Sequence, residues 1–468
     1  MEAAADLAAG AEEGAKGDDA AGRLTYEIFS HLEAKFLFGR ADVAAAAPPR
    51  APGKVCVLSI DGGARASDGL LAGAALVRLE AALRRRAGSP AARLPDFFDV
   101  AAGSGAGGVL AALLFARGPR GRPLYAAEDA LAFLLRRVRR GRSWPAGLVR
   151  RGGAGSAFGR ALGELTLRDT VRPVLVPCYD LGTRAPFLFS HADAAESPAH
   201  DFRLRDVCAA TCAGAAAVEV VSVDGGTRIR AVGGGTALGN PTAAAITHVL
   251  NNRREFPAAA TVDDLLVMSI GTGEAAGRGE VARIAAEGVS DMVDQAVAMA
   301  FGHSRTTNYI RIQGTGSRRG GGGGGGRAPR ACGGETGEQA VWKAEAMLLQ
   351  RSVESVLFQG RKVAGETNAE KLERFARELA KEHARRKHHQ QQHQAVEQAS
   401  TDDDVLPPAV VVTPAAPKQT PTPPHKAITA SSSSSAASAA GSTEAAAPSE
   451  APPPPRRRRP RIAKSVLD

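Results

Sequence analysis

The sequence predicts an α/β fold with a mostly parallel central sheet, and three observations carry that reading. The run "KVCVLSI" (54–60) is short, β-rich and apolar, and stops at the tight turn "DGG", the profile of a strand buried on both faces. "LLAGAALVRLEAALRRRAG" (70–88) follows, with Leu71, Ala75, Leu79 and Leu83 at helical spacing and Gly88 as its stop signal. The same strand–turn–helix order then repeats in "DFFDVAAG" and "GGVLAALLFA", as parallel pairing requires.

The later elements follow from the same patterns. "DTVRPVLVPCYDLGT" and "PFLFSHAD" read as strands, "LRDVCAATCAGAA" as a short helix, and "VEVVSVDGGTRIRAV" as a hairpin turning at Asp224 and Gly225. "DDLLVMSIGTGE" (263–274) reads as a core strand, "VSDMVDQAVAMAFGHS" as a helix and "NYIRIQ" as another strand. Five segments result. Residues 1–50 hold an amphipathic stretch, with Ile28, Phe29, Leu32, Phe36 and Leu37 at helical spacing, and a linker; 51–315 form the main domain. Residues 316–340 form a Gly-rich flexible insert and 341–385 are C-terminal helices. Residues 386–468 read as a disordered low-complexity tail, with too few large apolar side chains to offset chain entropy.

A chain of 468 residues with 44 % hydrophobic content suffices for one large core. Its net charge of +10 comes from Arg-rich stretches and favours an anionic surface, although the heavy Ala, Gly and Arg usage also resembles a coding bias. The five cysteines, Cys56, Cys178, Cys208, Cys212 and Cys332, lack paired metal-ligand spacing, so buried thiols in a reducing compartment are expected, with neither metal nor cofactor. The acidic N-terminus has no signal-peptide pattern, and no apolar run reaches the roughly 18–20 residues needed to cross a bilayer. A cytoplasmic protein, soluble or peripheral on membranes, is expected.

"AAGSGAGG" (101–108), between the second strand and its helix, admits two chemistries. Gly103, Gly105 and Gly108 fit the Gly-x-Gly-x-x-Gly of a dinucleotide turn. That site needs an acidic residue ending a second strand about 20 residues on, and the acids found there, Glu128 and Asp129, lie in a helical pattern. The other chemistry is a nucleophile elbow, a turn of small residues that throws its central side chain into a site beside backbone oxyanion donors. The flanking residues here are small, and "DGGA" at the end of the first strand would supply the donors. The central position holds no nucleophile.

Five blocks in order, "VLSIDGGARASDGLLAGAALVRLE", "DFFDVAAGSGAGGVLAALLFA", "VCAATCAGAA", "AVGGGTALGNPTAAAITHV" and "LLVMSIGTGE", resemble the patatin-like family of lipid acyl hydrolases, over about residues 50–315. The resemblance implies a three-layer α/β/α fold and hydrolysis of acyl esters by a Ser–Asp dyad. Residue by residue, it puts the oxyanion hole at Gly62, Gly63 and Ala64 after Asp61, and the outer elbow glycines at Gly103 and Gly107. It puts Gly105 where the family has its serine, and Gly233 where it has its aspartate, so both dyad members are replaced. The Gly-x-Gly-x-Gly elbow is similar to that of one plant branch of the family. Glycine offers neither hydroxyl nor carboxylate, and loss of a nucleophile costs on the order of a millionfold in turnover.

Two neighbours could substitute. Ser104 precedes the nucleophile slot and reads either as a shifted nucleophile or as a turn residue bonding its own backbone. Asp224 in "SVDGGTR" reads either as a displaced base or as a hairpin turn, and Asp68 in "RASDG" as a helix cap near the oxyanion turn. Ala64 keeps its N–H, but its Cβ disfavours a positive-φ turn. "LLRRVRRGRSWPAGLVRR" (134–151) places Arg136, Arg137, Arg139 and Arg140 near Trp144, a pattern suited to lipid headgroups or, equally, to a solvated helix end. The expected partners are membrane phospholipids or galactolipids on an anionic surface, with no specific nucleic acid. The activity implied is fatty-acid release of phospholipase A or galactolipase type; the rival is an inactive lipid-binding or regulatory module of the same fold.

Overall fold

The structure, a computed structural model, describes residues 53–138, 156–214, 216–272, 280–314, 337–356 and 359–402. The first half runs β1 (Val55–Ile60), α1 (Leu70–Ala87), β2 (Val100–Gly103), α2 (Ala106–Phe115), α3 (Ala127–Val138), α4 (Ala157–Leu162), β3 (Val174–Asp180), β4 (Ala185–Ser190), α5 (His191–Glu196) and α6 (Leu204–Thr211). The second half runs β5 (Val218–Val221), β6 (Arg228–Val232), α7 (Gly234–Ala237), α8 (Thr242–Asn251), β7 (Leu265–Ile270), α9 (Glu280–Phe301), α10 (Arg305–Asn308), β8 (Tyr309–Ile312), α11 (Gly337–Leu349), β9 (Arg351–Val356), β10 (Gly360–Thr367) and α12 (Asn368–Asp402).

The main sheet has the order β5-β6-β3-β2-β1-β7-β8, with β4 also on β3. β1 is parallel to β2 and to β7, placing Val57 opposite both Val100 and Val267. The β2–β3 and β7–β8 pairs are parallel as well, and β4, β5 and β6 add an antiparallel flank. Every residue of β1 is buried, because side chains alternate between two covered faces. Cys56, Leu58 and Ile60 enter a core shared with α1, α2, α3, α6, α11 and α12, while Val55 and Val57 meet α8 and α9. The result is the expected α/β/α layering.

Local chemistry moves several boundaries. Phe97 and Phe98 precede β2, because Leu94–Asp96 forms a tight turn in which Arg93 N–H donates to Asp96 Oδ2 (2.8 Å). β4 stops at Ser190, whose Oγ accepts the Ala192 N–H (3.2 Å) and caps α5, so "HAD" is helical. The expected helices of 341–385 enclose an antiparallel hairpin, β9–β10. α12 continues to Asp402, past the boundary drawn at 385, because Lys, Gln, Glu and Ala extend an anchored helix without needing a core. Residues 1–52, the glycine run 320–326 and the stretch beyond 402 lie outside the described residues.

α12 reaches back to the start of the fold. Glu382 Oε1 accepts the Lys54 N–H (2.8 Å), and Arg386 grips Asp99 with two bonds (2.9 and 2.8 Å) while donating to the Lys54 carbonyl. Four cysteines, Cys56, Cys178, Cys208 and Cys212, are buried free thiols, and burial pushes the Cys178 thiol up to about 12. Cys332 lies outside the described residues.

Candidate active site

The site forms where β1 and β2 end side by side. β2 passes through Ser104 into Gly105, which has φ 52° and ψ −125° and begins α2. That left-handed conformation belongs to glycine, and other residues enter it only under strain. Thr211, at the end of α6, supports the turn by accepting the Gly105 N–H at Oγ1 (2.8 Å). The strand–turn–helix geometry of an elbow is therefore present without its side chain.

The turn after β1 has closed onto this elbow. Ala106 N–H donates to Gly63 O (3.0 Å), and Gly62 N–H donates to Ser104 Oγ (3.1 Å). A Cβ on Gly105 would overlap the Gly63 carbonyl, so a serine there has no room in this arrangement. Gly233 precedes α7, and its Cβ would overlap the Ala213 carbonyl; it is Gly235 that lies against the Gly62 carbonyl. Ala64 avoids positive φ, since Arg184 is the one non-glycine residue with positive φ among the described residues. Gly63 N–H has no hydrogen-bond acceptor among the described residues.

The substitutes suggested by sequence are not in position. Ser104 is fully buried, and its hydroxyl is held between Gly62 N–H and the Gly239 carbonyl (3.1 Å), so it fastens the turn. Asp224 sits exposed at the tip of the β5–β6 hairpin, where it accepts Ser222 Oγ–H (2.6 Å) and Gly226 N–H (2.9 Å). Those bonds hold its carboxyl below the usual range, the behaviour of a turn residue. Asp68 accepts Arg65 N–H (3.1 Å) and caps the short turn before α1. Arg136 is exposed near the end of α3 and Arg137 is buried, the two lining one cavity with Tyr125 and Phe133. Arg139, Arg140 and Trp144 lie outside the described residues.

A cavity opens above the paired turns. Gly62, Gly63 and Gly235 line it from below, and Glu287, Ser290 and Asp291 of α9 line it from the other side. Arg361, from β10, pairs with Asp291 (2.8 Å) at its edge. On its outer side α9 presents Val281, Ile284, Val289 and Met292 to solvent, each at least 54 % exposed.

Beneath α9 lies a polar network that the sequence alone did not disclose. Arg311 of β8 forms a double bond pair with Asp61 (Nη1–Oδ1 3.1 Å, Nη2–Oδ2 2.6 Å) and donates to Ser269 Oγ (2.6 Å) and Ser290 Oγ (3.1 Å). Ser290 Oγ–H in turn donates to Asp61 Oδ2 (3.2 Å). Asn240 Nδ2 donates to the Ser290 carbonyl (3.2 Å), and Thr242 Oγ1 donates to Asn240 Oδ1 (2.6 Å), so "GNPT" anchors α9 over the cavity. Burial pushes the Asp61 carboxyl up, and Arg311 opposes the shift. The lone arginine in an apolar strand, "NYIRIQ", was the available signal for this network.

An elbow facing a glycine turn across the ends of parallel strands defines the class: α/β proteins that place acyl-transfer chemistry at the carboxyl edge of the sheet. Residues 58–246 match the family model described as patatin-like phospholipase. Patatin-like protein 3 of Oryza sativa subsp. japonica is 72 % identical over 393 residues, covering 79 % of this chain and 93 % of that one. Patatin-like protein 7 of Arabidopsis thaliana is 45 % identical over 403 residues (78 % and 82 %), and probable inactive patatin-like protein 9 of the same plant is 39 % identical over 388 residues (76 % and 92 %). The chain belongs to the patatin-like family, whose family-level activity is lipid acyl hydrolysis.

Proposed function

We propose that this protein docks on a membrane surface and releases fatty acid from phospholipids or galactolipids held in the cavity beneath α9. The observation that carries this reading is the two-sided character of α9. One face lines a cavity floored by the glycine turns, and the other offers an apolar stripe to solvent. Such a helix can lie in the headgroup region while an acyl ester enters below it, where Gly63 N–H can polarise the carbonyl. The net charge of +10 favours an anionic leaflet, and no helix among the described residues is long and apolar enough to cross one.

A second reading is favoured by the closed turn. With Gly62 N–H engaged by Ser104 and the Gly63 carbonyl held by Ala106 N–H, the oxyanion turn keeps only part of its donor set for a carbonyl, as in a module that binds lipid without cleaving it. The test is fatty-acid release from phospholipid and galactolipid vesicles, measured alongside vesicle sedimentation. Release with salt-sensitive binding to anionic vesicles supports the hydrolase; binding without release supports the module; absence of both rejects the lipid site.

A further inference from the structure

The family's nucleophile and base are gone, yet the cavity keeps one hydroxyl hydrogen-bonded to a carboxylate. We propose that Ser290 and Asp61 form a replacement Ser–Asp pair, with Ser290 Oγ as nucleophile and Asp61 as its base, assembled from α9 and the end of β1. The proposal rests on the reading that the cavity takes lipid esters.

The geometry has the parts that acyl transfer requires. Ser290 Oγ–H donates to Asp61 Oδ2 at 3.2 Å, within reach for proton transfer. Ser290 is half-buried and lines the same cavity as Gly62, Gly63 and Gly235, whereas Ser104 is fully enclosed and does not. Arg311 Nη2 lies 3.1 Å from Ser290 Oγ, so a fixed positive charge borders the attacking oxygen and lowers the cost of taking its proton. Asp61 is held by two bonds from the same guanidinium, and Asn240 holds the Ser290 backbone carbonyl, so both partners are oriented before substrate arrives.

The step balances without a co-reactant beyond water. Ser290 Oγ attacks the ester carbonyl as its proton passes to Asp61 Oδ2, leaving Arg311 unbalanced beside the tetrahedral oxyanion, which Gly63 N–H also receives. The carbon–oxygen bond to the lysolipid then breaks, and the departing alkoxide takes the proton from Asp61. Water, deprotonated by Asp61, attacks the acyl-Ser290 ester, and the fatty acid leaves as the proton returns to Oγ.

Two measurements on the full chain test this. The first is fatty-acid release by the native protein, Ser290→Ala, Asp61→Asn and the exposed-turn control Asp224→Asn, each checked by circular dichroism. The second is covalent labelling of the native protein by a long-chain alkyl fluorophosphonate, in which a serine oxygen displaces fluoride from phosphorus, with the adduct located by peptide mass spectrometry. The expected result is an adduct on Ser290 and a loss of more than about a hundredfold in release for Ser290→Ala, with Asp224→Asn unchanged. Release that persists in folded Ser290→Ala, or an adduct on Ser104 or another residue, overturns the pair while hydrolysis stands. Native protein that neither releases fatty acid nor takes the label overturns both readings. A Ser290 adduct without release keeps the nucleophile and rejects membrane lipids as its substrate.

Discussion

At the scale of single residues, the elbow has kept its backbone and lost its chemistry. Gly105 holds a left-handed conformation, and its missing Cβ is what allows the Gly63 carbonyl to approach and accept the Ala106 N–H. Restoring a serine is therefore not a simple reversion. Gly105→Ser is expected to lower stability by about 1–3 kcal/mol through strain and displacement of the oxyanion turn, read as a drop in the denaturant midpoint. Paired with Gly233→Asp, whose Cβ would overlap the Ala213 carbonyl, it is expected to restore no dyad activity. A well-folded, faster double variant would show instead that the turns reopen at little cost.

The sequence disclosed these positions unevenly, for a physical reason. Turns built from small residues are local, so "DGGA", "AAGSGAGG" and "AVGGG" were legible, as were the strands and helices they join. Ser104 and Asp224 could not be placed, because a side chain's direction depends on the fold around it; one is enclosed and the other stands on a hairpin tip. The Asp61–Arg311–Ser290 network joins residues 250 and 229 positions apart, a separation no local pattern encodes.

Among the elements, α9 carries the functional argument. A helix at a protein surface ordinarily turns its apolar stripe inward. α9 buries Val297, Ala298 and Phe301 but also exposes Val281, Ile284, Val289 and Met292. Ile284→Glu with Met292→Glu is expected to leave the melting temperature within a few degrees of native, because neither side chain is buried. The same variant is expected to weaken vesicle sedimentation at least about tenfold, since two apolar anchors become charges that anionic lipid repels. Undiminished sedimentation would move the docking surface elsewhere. The β9–β10 hairpin, hidden from a helical reading, supplies Arg361 to Asp291 and Glu287 at the cavity edge.

For the whole molecule, acid resistance has an identifiable contributor. Glu255 faces His191 Nδ1 (3.6 Å) and His248 Nε2 (3.8 Å). Burial raises its carboxyl, but the two imidazoles outweigh that and hold it at about 2. An unfolded glutamate titrates near 4.3, so the carboxylate's part of this contribution is present above about pH 4.3 and disappears as the pH falls toward 2, while the imidazoles take part only when protonated. Glu255→Gln is expected to melt below the native protein at mildly acidic pH, where protonated imidazoles face the carboxylate, with the gap closing as the pH falls toward 2. A gap of constant size down to pH 2 would assign the loss to packing.

The clasp of α12 on the first strand bears on how the chain is made. Lys54 is held by Glu382, 328 positions later, and by Arg386, 332 positions later. Such separations make for slow, late closure. During synthesis at roughly 5–20 residues per second, β1 waits tens of seconds for the residues that secure its outer end. Until then that end of the strand is unfastened, and a nascent chain stopped before Arg386 would lack the clasp.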